Sequence, residues 1–114
     1  MNNVNVQEKV EKYQMDKRNA VTTTQLRLLL SNAVIIKNKI QVEERKEKKN
    51  VISEKLENEI KYLLVKHIYQ CGREPKVKIF DKEFHISEKI KEVGNSAKKF
   101  NDFYRYLEEI VAYM

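Results

Sequence analysis

Apolar and polar residues recur along this chain in steps of three and four, the period of amphipathic helices. The clearest case is 96–114, where Phe100, Phe103, Tyr104, Leu107, Ile110, Val111 and Met114 share one helical face. Ser96 suits its N-cap, and Gly94 suits the end of the element before it. Aromatic side chains on such a stripe are more often core than a ligand box. A stripe this rich requires other helices to cover it.

The remaining pattern predicts those helices. Residues 2–18 place Val6, Val10 and Tyr13 on one face, with Val4 and Met15 off it; three apolar contacts bury little, so this first helix is expected to be marginal. After a connection at Asn19–Val21, Thr22 and Gln25 form a capping box, with Val21 as a staple against Leu26. The second helix carries Leu26, Leu29, Leu30, Ala33, Ile36 or Lys37, and Ile40 on one stripe. Leu28, Ile35 and Val42 lie on a neighbouring one. A stripe so broad suits two partners, one of them another subunit. From Glu43 the sequence EERKEKK is wholly charged, and it predicts a helix fraying into a linker over 43–52. Ser53 caps a third helix to about Cys71. Its main face is Leu56, Ile60, Leu63, Leu64, His67, Ile68 and Cys71, and its second is Tyr62, Val65 and Tyr69, which predicts a central element. Gly72 is expected to end it. Pro75 opens a fourth helix to Phe84, built on Val77, Phe80 and Phe84 with Ile79 beside them. Ile86 and Ser87 offer a staple and cap for a short fifth, closed by Gly94.

These elements predict an all-α fold, a compact bundle of five to six helices in one domain over residues 1–114. Composition agrees: the 114 residues include only 2 Gly and 1 Pro, which leaves long stretches free to be helical. No apolar run approaches the roughly 18–20 residues of a membrane span, and the polar N-terminus lacks the apolar centre of a secretory signal. The single Cys71 forms no internal disulfide and fits a reducing, cytoplasmic setting.

The net charge of +6 is concentrated early: residues 1–52 carry 11 Lys and Arg against 6 Asp and Glu, and residues 53–114 carry 12 against 11. Such a field is compatible with nucleic acid without requiring it. Catalytic constellations are absent. Neither His67 nor His85 has a Cys, His or Asp at a metal-ligand spacing, so no metal and no cofactor is expected. His67 on an apolar face reads as a packed, hydrogen-bonded core histidine, His85 as a solvated turn residue, and Cys71, one turn from His67, as a buried thiol. Gly72 and Gly94 are isolated helix ends and not a phosphate loop. Glu108 and Glu109, being adjacent, point to different faces.

What remains is a set of basic side chains on helices. Arg27 follows the capping box, where amides, the helix dipole and the Thr22–Thr24 hydroxyls favour an anion; a routine cap beside a surface arginine is the commoner arrangement. Arg73 sits at a helix corner beside Glu74, where an ion pair or a carbonyl cap is the usual explanation. Lys37, Lys61 and Lys66 project from the middle helices, and Lys98, Lys99 and Arg105 rim the last one. Singly, each is more often a solvated charge than a ligand contact.

Three blocks of sequence add a resemblance. TTTQLR at Thr22–Arg27 with the following LLLSNAVIIKNKI, IKYLLVKHIYQCGRE at Ile60–Glu74, and FNDFYRYLEEIVAYM at Phe100–Met114 occur in this order over about residues 21–114. The ordered set resembles the small subunit of type III-A CRISPR effector complexes. The resemblance implies a helical, non-enzymatic protein present in several copies along a ribonucleoprotein that serves antiviral defence. It would pack against other effector subunits and copies of itself. It would also contact the sugar-phosphate backbone of the crRNA–target RNA duplex, leaving sequence to be read by base pairing. On that basis Arg27 and Arg73 are the carried-over RNA contacts. Lys37, Lys61, Lys66 and Arg105 come from the residues alone. The alternative is a helical protein–protein adaptor, or a homodimer in isolation, without nucleic-acid binding. A DNA-binding helix-turn-helix fits the short fourth and fifth helices poorly.

Overall fold

Six helices follow in the predicted order in a computed structural model of the chain, which describes residues 3–15, 20–47 and 50–114. They are α1 (Asn3–Met15), α2 (Thr23–Glu47), α3 (Glu54–Arg73), α4 (Pro75–Phe84), α5 (Ile86–Val93) and α6 (Ala97–Tyr113). Among the described residues the only β pairing is an isolated bridge between Val51 and Ser96. None of these helices is long and apolar enough to cross a membrane. Asn2, residues 16–18 of the expected first helix, Asn19 of the connection, the side chain of Val4, and Lys48 and Lys49 of the charged block lie outside the described residues.

The all-α bundle is organised around α6, which packs on α1, α2 and α5, while α3 packs on α2, α4 and α5. Its extents of 46 × 31 × 20 Å make the thinnest dimension two helices deep, at about 10 Å per helix. The α6 stripe is core as its spacing requires: Phe100, Leu107 and Ile110 are fully buried, with Phe103 and Tyr104 beside them. Phe80 and Phe84 of α4 pack edge-on against Tyr13 of α1, at centroid separations of 5.9 and 5.4 Å. Together with the buried Val10, this seats α1 against both α4 and α6. The Tyr13 hydroxyl also accepts the Val21 N–H at 2.7 Å.

Caps set most of the boundaries. Thr22 N–H donates to Gln25 Oε1 at 2.9 Å and Gln25 N–H donates to Thr22 Oγ1 at 3.1 Å, the reciprocal pair of a capping box. Ser53 Oγ accepts from Leu56 N–H, and Ser96 Oγ accepts from Lys99 N–H. Gly94, at φ 56°, turns the chain out of α5 in a conformation that costs glycine little.

Several boundaries differ from expectation, each for a local reason. The charged block is helical through Glu47, and Glu43 accepts both the N–H (3.0 Å) and the hydroxyl (2.6 Å) of Ser53. One of its charges therefore ties α2 to the start of α3. Gly72 does not end α3. The helix runs to Arg73 and stops at Glu74, whose extended backbone (φ −119°, ψ 105°) is the conformation favoured before proline. Ser87 does not cap α5 either: the cap position is His85, in the left-handed region at φ 57°, and Ser87 turns its hydroxyl to Asp81 instead.

The largest difference concerns α3. Its main face is buried through Leu56, Ile60, Leu63 and His67, but Tyr62, Val65 and Tyr69 are 60 %, 57 % and 58 % exposed, and Ile68 is exposed with them. Leu28, Ile35 and Val42 of α2 are likewise exposed. The expected central helix is thus covered on one side only, and the second apolar stripes of α2 and α3 have no cover among the described residues of this chain.

Candidate nucleic-acid interface

Four residues along the exposed side of α3, Tyr62, Lys66, Tyr69 and Arg73, follow one another at steps of four, three and four and so share one face. The Lys66 ammonium lies 4.7 Å from the centre of the Tyr62 ring. Arg73 sits 5.6 Å from the Tyr69 ring centre, and its Nη1 donates to the Tyr69 hydroxyl at 3.1 Å. In place of the expected ion pair with Glu74 or a carbonyl cap, Arg73 makes this contact with Tyr69. Neither cation meets a carboxylate among the described residues, whereas Lys39 pairs with Glu59 (2.7 Å) and Lys98 with Asp102 (3.5 Å). A ring holds a cation without neutralising it, so Lys66 and Arg73 keep their charge for an anion.

The strip borders a shallow groove between α2 and α3, lined by Asn32, Ile35, Asn58, Tyr62 and Lys66. A neighbouring depression adds Gln25, Leu28 and Gln70. Aromatic faces, cations and amide side chains are thereby gathered along one side of the bundle. The arrangement suits a sugar-phosphate backbone, which needs charge and hydrogen-bond donors, and it suits stacking on an exposed ring.

The other basic residues singled out from sequence do not join this strip. Lys61 is exposed about 140° around α3 from Lys66. Lys37 lies over the Tyr104 ring at 4.7 Å, on the side of α2 that packs against α6. Arg27 and Arg105 are exposed and have no side-chain hydrogen bond or ion pair among the described residues; Arg105 is on the side of α6 away from its buried face. The six therefore do not form one patch. The apolar pattern places Tyr62 and Tyr69 on a stripe expected to be covered, which hides them as candidates for the strip. Their four-residue offsets from Lys66 and Arg73 were the available signal.

Inside the bundle, His67 behaves as its position predicted. It is 4 % exposed, with Nε2 2.8 Å from Asp81 Oδ1. Burial alone pushes the Asp81 carboxyl up. Hydrogen bonds from His67 and from the Ser87 N–H (2.7 Å) and hydroxyl (2.9 Å) outweigh that and hold it below the usual aspartate value. Cys71 is half-buried rather than buried. Its Sγ is 3.7 Å from His67 Nε2, and burial, with the charge of Asp81, pushes the thiol up to about 11.

The described residues thus form a small helical bundle with an unneutralised cationic and aromatic edge. The family described as Csm2 Type III-A matches residues 3–114, and the chain belongs to that family, the small subunit of type III-A Csm complexes. Among curated proteins it is similar to the CRISPR system Cms protein Csm2 of Streptococcus thermophilus, with 36 % identity over 93 residues, 82 % of this chain and 69 % of that one. It is also similar to the protein of the same name from Mycobacterium tuberculosis (strain ATCC 25618 / H37Rv), with 33 % identity over 93 residues, 82 % of this chain and 72 % of the relative. The Enterococcus italicus protein is 33 % identical over 97 residues, covering 83 % and 66 % of the two chains.

Proposed function

We propose that this chain is a non-catalytic subunit which packs in several copies along a type III-A CRISPR ribonucleoprotein in the cytoplasm. There it contacts the sugar-phosphate backbone of the crRNA–target RNA duplex, in support of antiviral defence. The observation that carries the RNA reading is the Tyr62–Lys66–Tyr69–Arg73 strip, whose two cations are held by rings and not by carboxylates. Phosphate contacts of this kind position a duplex without reading it. Arg27, Lys37, Lys61 and Arg105 are further contacts in the same reading, distributed over separate faces as a subunit lodged among several partners requires. The uncovered Leu28, Ile35, Val42, Val65 and Ile68 supply the protein-facing surface, because exposed apolar groups of this number are usually buried in an assembly.

The test is target RNA retention by the assembled complex across a salt series, with the paired substitution Lys66→Glu and Arg73→Glu in this subunit. Retention should fall at every target sequence alike, and the dependence on salt should flatten. Unchanged retention by a complex that still contains the variant would overturn the RNA assignment. It would leave the adaptor reading, which the exposed apolar residues independently favour.

A further inference from the structure

We propose that His67, Cys71 and Asp81 form a binding site for one thiophilic divalent cation of the Zn2+ class, bridging α3 and α4. This site is independent of the RNA-facing strip, which lies on the other side of α3. One ligand atom from each residue lies within 4.8 Å of the other two. His67 and Cys71 are four residues apart on one helix and so present Nε2 and Sγ on the same face. Asp81 arrives from α4, after the chain has turned at Pro75.

The distance between Sγ and Nε2 fits a tetrahedral ion. Bonds of about 2.3 Å to sulfur and about 2.0–2.1 Å to imidazole nitrogen place those two atoms about 3.6 Å apart; Sγ and Nε2 stand at 3.7 Å. The same geometry sets nitrogen and carboxylate oxygen about 3.4 Å apart. The hydrogen-bonded pair at 2.8 Å therefore opens by roughly half an ångström as the ion replaces the shared proton. A thiolate and a carboxylate balance the 2+ charge, with a neutral imidazole third and water fourth. The donor set of one soft sulfur, one nitrogen and one oxygen selects Zn2+ or Co2+ over Mg2+ and Ca2+. Asp81 has an outer partner in place: Ser87 grips both its oxygens, through its N–H at 2.7 Å and its hydroxyl at 2.9 Å, which orients the carboxylate before any ion arrives. Entry is from the half-buried Cys71 side.

Binding is a proton-for-metal exchange without redox change. The S–H bond of Cys71 breaks, a sulfur–metal bond forms, and one proton leaves to buffer. The imidazole proton shifts from Nε2 to Nδ1, so that Nε2 can donate its lone pair.

The experiment uses the full chain stripped with a chelator, then titrated with Co2+ and competed with Zn2+. One equivalent of Co2+ should produce the visible bands of a tetrahedral ion together with a sulfur-to-cobalt charge-transfer band, and Zn2+ should bleach both. Cys71→Ser, with its helicity checked by circular dichroism, should bind at least tenfold more weakly and lack the charge-transfer band. His85→Ala, which removes the only other histidine, should titrate like the parent. A spectrum of hydrated, six-coordinate Co2+ in the parent would overturn the proposal, as would equal affinity of the parent and Cys71→Ser. The three residues would then be a hydrogen-bond network and nothing more.

Discussion

The Tyr106 hydroxyl donates to the main-chain carbonyl of Phe84 at 3.0 Å, so the last helix holds the end of α4 by a polar contact. Burial, aided by the charges of Glu109 and Glu83, pushes this phenol up to about 12. An unfolded tyrosine titrates near about pH 10, and the folded chain keeps the proton longer. The stability linked to Tyr106 is therefore fully present below about pH 10 and is lost as pH rises toward 12. Urea midpoints measured from about pH 8 to about pH 12 should fall along that limb. Tyr106→Phe should start lower, by about 1 kcal/mol for the missing hydrogen bond, and fall less steeply. Cys71, Tyr13 and Tyr104, all raised by burial, account for the slope that persists.

The two aromatic populations of the chain should respond oppositely to truncation. Phe100 is fully buried, and Phe100→Ala should cost about 3–5 kcal/mol, a large share of the about 5–15 kcal/mol that holds a domain of ordinary stability. Tyr62→Ala, on the exposed side of α3, should change the isolated chain by within about 0.5 kcal/mol. Denaturant unfolding of the two variants measures the contrast, and a large destabilisation at Tyr62 would mean that its side of α3 is covered after all.

At the start of α2, Thr22→Ala removes the acceptor for the Gln25 N–H and leaves only the other half of the box, from the Thr22 N–H to Gln25 Oε1. The expected cost is about 1 kcal/mol, read as a lower thermal midpoint with unchanged helicity at low temperature.

Charge reversal ranks the basic residues. Lys66→Glu with Arg73→Glu should weaken RNA retention by the assembled complex most, reducing the salt slope by about 1 for each phosphate that no longer meets a cation. Arg27→Glu should also weaken it, from a separate face. Lys61→Glu, on α3 but turned away from the strip, should have a smaller effect than the pair. Filter binding over a salt series gives the order, and a larger effect at Lys61 than at Lys66 and Arg73 would move the interface to the opposite side of the helix.

Much of the fold was legible because local chemistry decides it. Thr22, Ser53 and Ser96 cap the helices they were expected to cap, Pro75 opens α4, and Gly94 closes α5. The misplaced boundaries are those where two local signals compete. At the end of α3 the extended residue before proline wins over Gly72; at the start of α5 Asp81 captures the Ser87 hydroxyl that would have capped the helix. Two features of the candidate sites were not legible at all. On α2 the breadth of the stripe points to a second partner, but on α3 the pattern alone does not distinguish cover by the same chain from cover by another, and Tyr62, Val65 and Tyr69 are exposed. Asp81 meets His67 and Cys71 only because the corner at Glu74 and Pro75 folds α4 back along α3, a relation that no spacing within one helix encodes.

The packing of α1 on α6 also has a consequence in time. Gln14 Nε2 reaches the Met114 carbonyl, 100 residues further along, at 3.5 Å, and Val10 is buried in the core that α6 completes. At synthesis rates of about 5–20 residues per second, α1 leaves the ribosome roughly 5–20 s ahead of the helix that covers it. During that interval its apolar face has at most the α4 side of its final cover, through Tyr13 on Phe80 and Phe84. Those seconds are when a neighbouring nascent copy, or a chaperone, competes for the place that α6 will take.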